Sequence, residues 1–214
     1  EVPVTLFCTG KCVHEEPERM AKLAAMDNVE LGGHNYWAFT TPVHKAWRAL
    51  EKVTGGRGGS WMGPRAFQTY EIRKTIDAFA GLGVDVRCWR DHAYRHDKYT
   101  HDLLSDLGIT HLSDAVEPSG KVRHESQIVT VPINTMPDHE HIYHSYLTPS
   151  SDAEREFEGP FGSKAYSITE WRDRVIKASR ISTVGTVLAH PACMKIADEF
   201  EVFIDICVAV SDLD

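Results

Sequence analysis

The chain has 214 residues, of which 42% are hydrophobic and 25% charged, and a formal net charge of −8 at pH 7. Length and composition fit one globular domain, taken as residues 1–214, with enough apolar content for a sizeable core. The acidic balance, without a basic patch, argues against a nucleic-acid partner, and no apolar run is long enough to span a bilayer.

The stretch from Val4 to Thr9 reads as a buried strand ending at Gly10, and that from Pro17 to Met26 as a helix with proline in its first turn. Glu1 runs almost at once into that strand, with no initiator Met and no secretion-signal pattern, so residues upstream of Glu1 are expected. A signal among them stays open; without one the chain is assigned to the cytoplasm. Val29-Glu30-Leu31 is a short second strand, followed by Gly32-Gly33-His34-Asn35, where two glycines allow a tight turn that presents His34. From Thr41 to Val53 the pattern is helical, with Thr41 as N-cap. The glycine-rich run from Thr54 to Ser60 follows a helix and has no Lys, so it reads as a connector or lid and not as a phosphate-binding loop.

A helix from Gln68 to Leu82 leads into Val84, Val86 and Cys88, which alternate with polar neighbours as in a strand. Arg90, Asp91, His92, Arg95, His96 and Asp97 follow, too many ionisable groups for an ordinary turn. Further on come a helix from Tyr99 to Leu107, a strand from Ile109 to Ser113 with Asp114 at its end, and a strand from Gln127 to Ile133 opening into Asp138, His139 and His141. The span from Ser150 to Gly162 is a polar, acidic surface excursion. A helix from Ile168 to Ser179 and a strand from Gly185 to Ala189, ending in His190-Pro191, precede a last helix from Ala192, with a strand or helix to Ile206.

Strands and helices alternate through about six strands, which implies an α/β protein with a parallel sheet, open or closed. Polar groups recur just after strands, and one mouth of a barrel is the simplest way to collect them. Twelve histidines, several among acids, point to metal or acid–base chemistry, with scattered surface imidazoles as the alternative. The odd set Cys8, Cys12, Cys88, Cys193 and Cys207 reads as reduced, largely buried thiols, and Cys8 and Cys12 have no second pair with which to form a zinc ribbon.

Three short motifs in order resemble the polysaccharide deacetylase family of metal-dependent carbohydrate esterases. They are Leu31-Gly32-Gly33-His34, Trp89-Arg90-Asp91-His92-Ala93-Tyr94 and Val187-Leu188-Ala189-His190, and the run from Val4 to Gly10 is similar to that family's second strand. The resemblance implies a distorted (β/α) barrel of about seven units, its first strand with the family's Asp-Asp pair lacking from this sequence. Ala38 stands where the family has its second metal histidine, and Asp91 and His92 where it has two prolines.

The activity so implied is hydrolysis of the C–N bond of an N-acetylated sugar or polysaccharide with a divalent metal, zinc by family. Ureide or small-amide hydrolysis is a variant, and a catalytically reduced barrel that only binds glycan is the alternative. On this reading His34 is a metal ligand, and His92, which shares a strand face with Arg90, replaces the ligand lost at Ala38. His190 is the general acid, Arg90 orients a carboxylate by forking onto it, and Asp91 beside it is grouped with the catalytic residues. Trp37, Trp89, Tyr94, Asp114, His139 and His141 are the candidate substrate contacts, each with core packing or a polar loop as the competing explanation.

Overall fold

The computed structural model describes residues 2–55, 61–125, 127–138, 158–163 and 167–212. They divide into two compact units, Pro3–Asp114 with Arg123–Thr130, and Ala115–Val122 with Val131–Asp214 and the first two residues.

The first unit holds a six-stranded sheet in the order β1-β2-β3-β4-β6-β5. Strands β1 (Val4–Cys8), β2 (Val29–Gly33), β3 (Cys88–Trp89), β4 (His111–Leu112) and β6 (Ile128–Thr130) run parallel, and β5 (Arg123–Glu125) lies antiparallel to β6. Helices link β1 to β2, β2 to β3 and β3 to β4, as parallel crossovers usually require, while β4 reaches β6 by way of β5. They are α1 (Gly10–Glu15), α2 (Pro17–Ala24), α3 (Pro42–Thr54), α4 (Arg65–Ala80) and α5 (Thr100–Asp106). Their starts follow from local chemistry. Thr9 and Thr41 accept hydrogen bonds from the amides of Cys12 and His44, and Pro17 and Pro42 occupy first-turn positions where no amide donor is needed. Leu6, Val29, Leu31, Trp89, Leu112 and Ile128 bury one face of the sheet against Val13, Ile72, Phe79 and Leu104 of the helices.

The second unit carries a hairpin of β7 (Glu158–Gly159) and β8 (Gly162–Ser163), followed by α6 (Ile168–Ile181), α7 (Pro191–Asp198) and α8 (Glu201–Ser211). Ser167 caps α6 by accepting from the amide of Glu170. Its core gathers Met136, Trp171, Val175, Met194, Val202 and Ile206, and the Trp171 indole donates to the Met136 carbonyl at 2.8 Å.

Several expectations change. Of the strand read over residues 84–88, the ladder includes Cys88 with Trp89, and residues 84–87 stay outside it. Residues 185–189 are not a strand. Asn134 donates to the Val184 carbonyl at 2.7 Å and accepts from the Thr186 amide at 2.8 Å, while the Thr135 hydroxyl donates to the Thr186 carbonyl at 2.6 Å. Side chains there satisfy backbone groups that a ladder would otherwise pair. The segment to Ile206 is helical. Gly32 and Gly33 lie in β2 and not in a turn, while the left-handed backbone after them falls at Asn35, Ala38 and Phe39. Gly56 to Ser60 lie outside the described residues.

Candidate active site

Successive side chains of a strand face opposite ways, and this divides the charged cluster after β3 between the two faces of the sheet. Trp89 points into the helix-covered core and Asp91 follows it, with the indole Nε1–H donating to Asp91 Oδ1 at 3.0 Å. Arg90 points the other way, its guanidinium 4.4 Å from the centre of the Phe7 ring and its Nε and Nη2 donating to the carbonyl and hydroxyl of Ser113 at 2.9 and 2.7 Å. No carboxylate forms a salt bridge with Arg90 among the described residues. Burial lowers its pKa from the usual value, with nearby Asp114 acting in the opposite sense.

His34, just past β2, stands beside the Arg90 backbone. Its Nδ1 lies 2.7 Å from the Arg90 carbonyl, which can only accept, so Nδ1 carries the proton and Nε2 the lone pair. His92 Nδ1 is 3.0 Å from His34 Nε2. A second-position hydrogen bond of this kind is how metal-ligating imidazoles are oriented. Burial, and next the His92 imidazole, hold the His34 pKa down to about 4, which keeps it neutral as a ligand must be.

The turn that presents His34 is tied from several sides. The carbonyl of its left-handed residue Asn35 accepts from the Gly10 amide at 2.9 Å and its Oδ1 from the His92 amide at 2.8 Å. Glu71 of α4, fully buried, accepts from the amides of Tyr36 and Trp37 at 3.0 and 2.9 Å and sits 3.3 Å from His44 Nε2. A strained turn persists only when its surroundings over-determine it, and here they do.

On the helix-covered face Asp91 meets Asp114, whose Oδ1 accepts from the Asp91 amide at 2.7 Å. His101 of α5 brings its Nε2 to 3.6 Å from Asp114 Oδ2, and the His96 ring lies 4.2 Å from that of His101, centre to centre. Burial and the neighbouring Asp114 carboxylate push Asp91 well above the ordinary carboxyl range. Burial also acts to raise Asp114, but His101 and the Asp91 hydrogen bonds outweigh it and hold Asp114 low.

In the second unit, Asp138 receives both the backbone amide of His190 at Oδ2 and its Nδ1 at Oδ1, each at 2.6 Å. The carboxylate thereby fixes the tautomer and leaves proton exchange to Nε2, the arrangement of a general acid or base with its orienting acid. Asp138 is buried, and the His190 side chain keeps 47% of its surface exposed. Cys193 lies close by, its thiol pushed up to about 11 by burial and then by Asp138.

No protein-family model matches the sequence, and no curated protein matches it significantly. Solved structures do. A candidate polysaccharide deacetylase from Mycobacterium smegmatis superposes with a TM-score of 0.67 at 16% identity, over 100% of this chain and 67% of that one. The chain has the polysaccharide deacetylase fold. A CE4 family pseudoenzyme from Bacillus anthracis matches with a TM-score of 0.55 at 14% identity, over 99% of this chain and 51% of its own, and a mutant of a CE4 family pseudoenzyme with restored enzymatic activity with 0.54 at 15%, over 99% and 53%. This chain thus spans about two thirds of the first relative and about half of the others.

Within that fold the expected site residues separate. His34, Arg90 and His92 come together on one face of the sheet. Asp91 and Asp114, expected as a catalytic and a substrate group, are buried together on the other face because each follows a core strand residue, Trp89 or Leu112, by two positions. Trp89, expected against substrate, is core at 0% exposure. Trp37 packs on Phe67 and Tyr70 with the Lys74 ammonium 4.5 Å from its ring, and Tyr94 sits half-buried with a left-handed backbone. His139 and His141 lie outside the described residues. Reading along the chain did not pair Asp138 with His190 or join His96 and His101 to the two aspartates. Asp138 and Asp114 were visible as polar groups just past strands, but their partners lie 52 and at most 23 positions away.

As to a metal on the His34 side, the two imidazoles fit in orientation and spacing, while no third His, Cys, Asp or Glu joins them among the described residues. A catalytic zinc usually takes three protein ligands.

Proposed function

We propose that this chain hydrolyses the C–N bond of an N-acylated carbohydrate. The observation that carries the reading is the facing of His34 Nε2 and His92 Nδ1 at 3.0 Å, with His34 held by the Arg90 carbonyl. His34 and His92 would hold a divalent ion, which supplies Lewis acidity at the acyl carbonyl. Arg90 keeps a positive charge beside that pair, available to the oxygen that becomes negative as the carbonyl is attacked. His190, with Asp138 on its Nδ1, is the candidate general acid, exchanging its proton at Nε2. The relatives named above for deacetylation support the substrate class.

The test is acetate release from an N-acetylated oligosaccharide by the full chain supplied with zinc. His190→Ala and Arg90→Ala are each expected to lower turnover by roughly 100-fold or more, the scale of losing an acid–base group or its electrostatic partner. Because His92 takes the role that Ala38 cannot, His92→Ala should weaken zinc uptake at this pair as much as His34→Ala does. Unchanged activity in both the His190 and Arg90 variants would assign those residues structural roles.

A second reading, a barrel that binds glycan without cleaving it, is favoured by Ala38 and by the two ligands counted among the described residues. The two readings part on acetate: saturable binding of the oligosaccharide with none released supports the second.

A further inference from the structure

The hydrolytic reading makes no use of the polar cluster on the helix-covered face. Buried there, Asp91 Oδ2, Asp114 Oδ2 and His101 Nε2 find no hydrogen-bond partner among the described residues. Each such atom costs free energy on burial, so three in one cluster call for a shared partner. We propose that Asp91, Asp114, His101 and His96 form a site for one divalent transition-metal ion, separate from the His34–His92 pair, that clamps the ends of β3 and β4 to α5.

Each of the four residues offers a ligand atom such that all four atoms lie within 4.8 Å of one another. Around one ion at about 2.1 Å, tetrahedral ligands stand about 3.4 Å apart, so the group needs to close by at most about 1.4 Å at its widest. The His101 Nε2 to Asp114 Oδ2 separation of 3.6 Å is already at that spacing, and too long for a good hydrogen bond. Two carboxylates balance the charge of a divalent ion, and two imidazoles beside them favour zinc over calcium or magnesium, which prefer oxygen alone. A closed set of four protein donors with no open position describes a structural and not a catalytic site.

The orientation of Asp91 is also anchored before any ion arrives, by the Trp89 indole on Oδ1 and by its own amide on Asp114. Donors held this way lose little freedom on binding. The consequence reaches the other face. Asp91 lies between Arg90 and His92, so fixing its backbone fixes the strand end that carries both.

Zinc uptake by the chelator-treated full chain, followed by equilibrium dialysis, tests this. With His34→Ala removing the other pair, one equivalent of zinc should still bind. Adding His101→Ala or Asp114→Asn should weaken that equivalent by more than the roughly 10–100-fold that loss of an outer-shell partner costs. His96→Ala, at an exposed position, keeps the test open should the buried variants fail to fold. The proposal is overturned if His34→Ala alone abolishes zinc binding, or if the double variants bind as the single one does. Its outcome is separate from that of the hydrolytic reading. Zinc kept by His34→Ala and lost in the double variants, from a protein that releases no acetate, would leave this site standing without that reading.

Discussion

Gly33 shows how one residue positions the site without taking part in it. A Cβ placed there would lie 2.2 Å from Cε3 and 2.3 Å from Cζ3 of Trp89, which is fully buried and cannot retreat. The two adjoining glycines of β2 are therefore about close approach. Gly32 makes the same allowance for Phe7 and Cys88 on the opposite face, at 2.7 and 2.9 Å. Gly33→Ala should destabilise the protein by about 1–3 kcal/mol or more, the range for overpacking a filled core. Urea unfolding would read this as a lower midpoint with unchanged slope; a midpoint within error of wild type would mean that Trp89 can move. In the sequence these glycines pointed to His34 for the wrong reason. A Gly-Gly pair advertises a turn, whereas here it accommodates an indole from a strand 56 positions on, and no local pattern carries that information.

At the scale of elements, the turn after β2 depends on a helix that follows it in sequence. Glu71 of α4 satisfies the amides of Tyr36 and Trp37 and faces buried His44 of α3, so one carboxylate joins the turn to two helices. Glu71→Ala would leave two amides without their acceptor and remove the carboxylate beside His44. The expected loss is roughly 2–6 kcal/mol, at about 1–3 kcal/mol for each amide left unsatisfied. Glu71→Gln, which keeps an acceptor oxygen, should lose less. Equal losses in both would show that the charge, and not the accepted hydrogen bonds, is what the turn needs. Helices α2 to α6 were legible because amphipathic spacing and Thr, Pro or Ser at their starts are local signals. The shortest strands were legible only in part. β5 is Arg123-His124-Glu125, with no apolar periodicity at all, and residues 185–189 look like a strand yet are held by Asn134 and Thr135 side chains. A pattern of apolar residues records burial, and burial does not require a ladder.

Across the whole molecule, stability as a function of pH tests whether the site is built as described. His34 has its pKa held near 4 by burial and by His92, against an ordinary value of 6.5. Well above pH 6.5 the imidazole is neutral in folded and unfolded chains alike and contributes no pH dependence. Between pH 6.5 and about 4 the unfolded chain takes up a proton that the folded one refuses, so stability falls as pH falls, by roughly 3 kcal/mol in all. Asp91 acts in the opposite sense. Its pKa is raised in the fold, so its contribution is present at low pH and is lost as pH rises above the ordinary carboxyl value. The two overlap, and the bare curve of the wild type cannot separate them. A difference can. His34→Asn keeps an amide donor for the Arg90 carbonyl but has no titrating group, so wild type minus variant isolates the imidazole. Measured by urea unfolding in the presence of chelator, that difference should be flat well above pH 6.5 and slope downward for wild type toward pH 4. The slope belongs to the unfolding of the unit that carries β2, whose core is distinct from that around Trp171. A difference that stays flat through the whole range would mean that His34 is solvated, and the pairing with His92 on which the catalytic reading stands would fall with it.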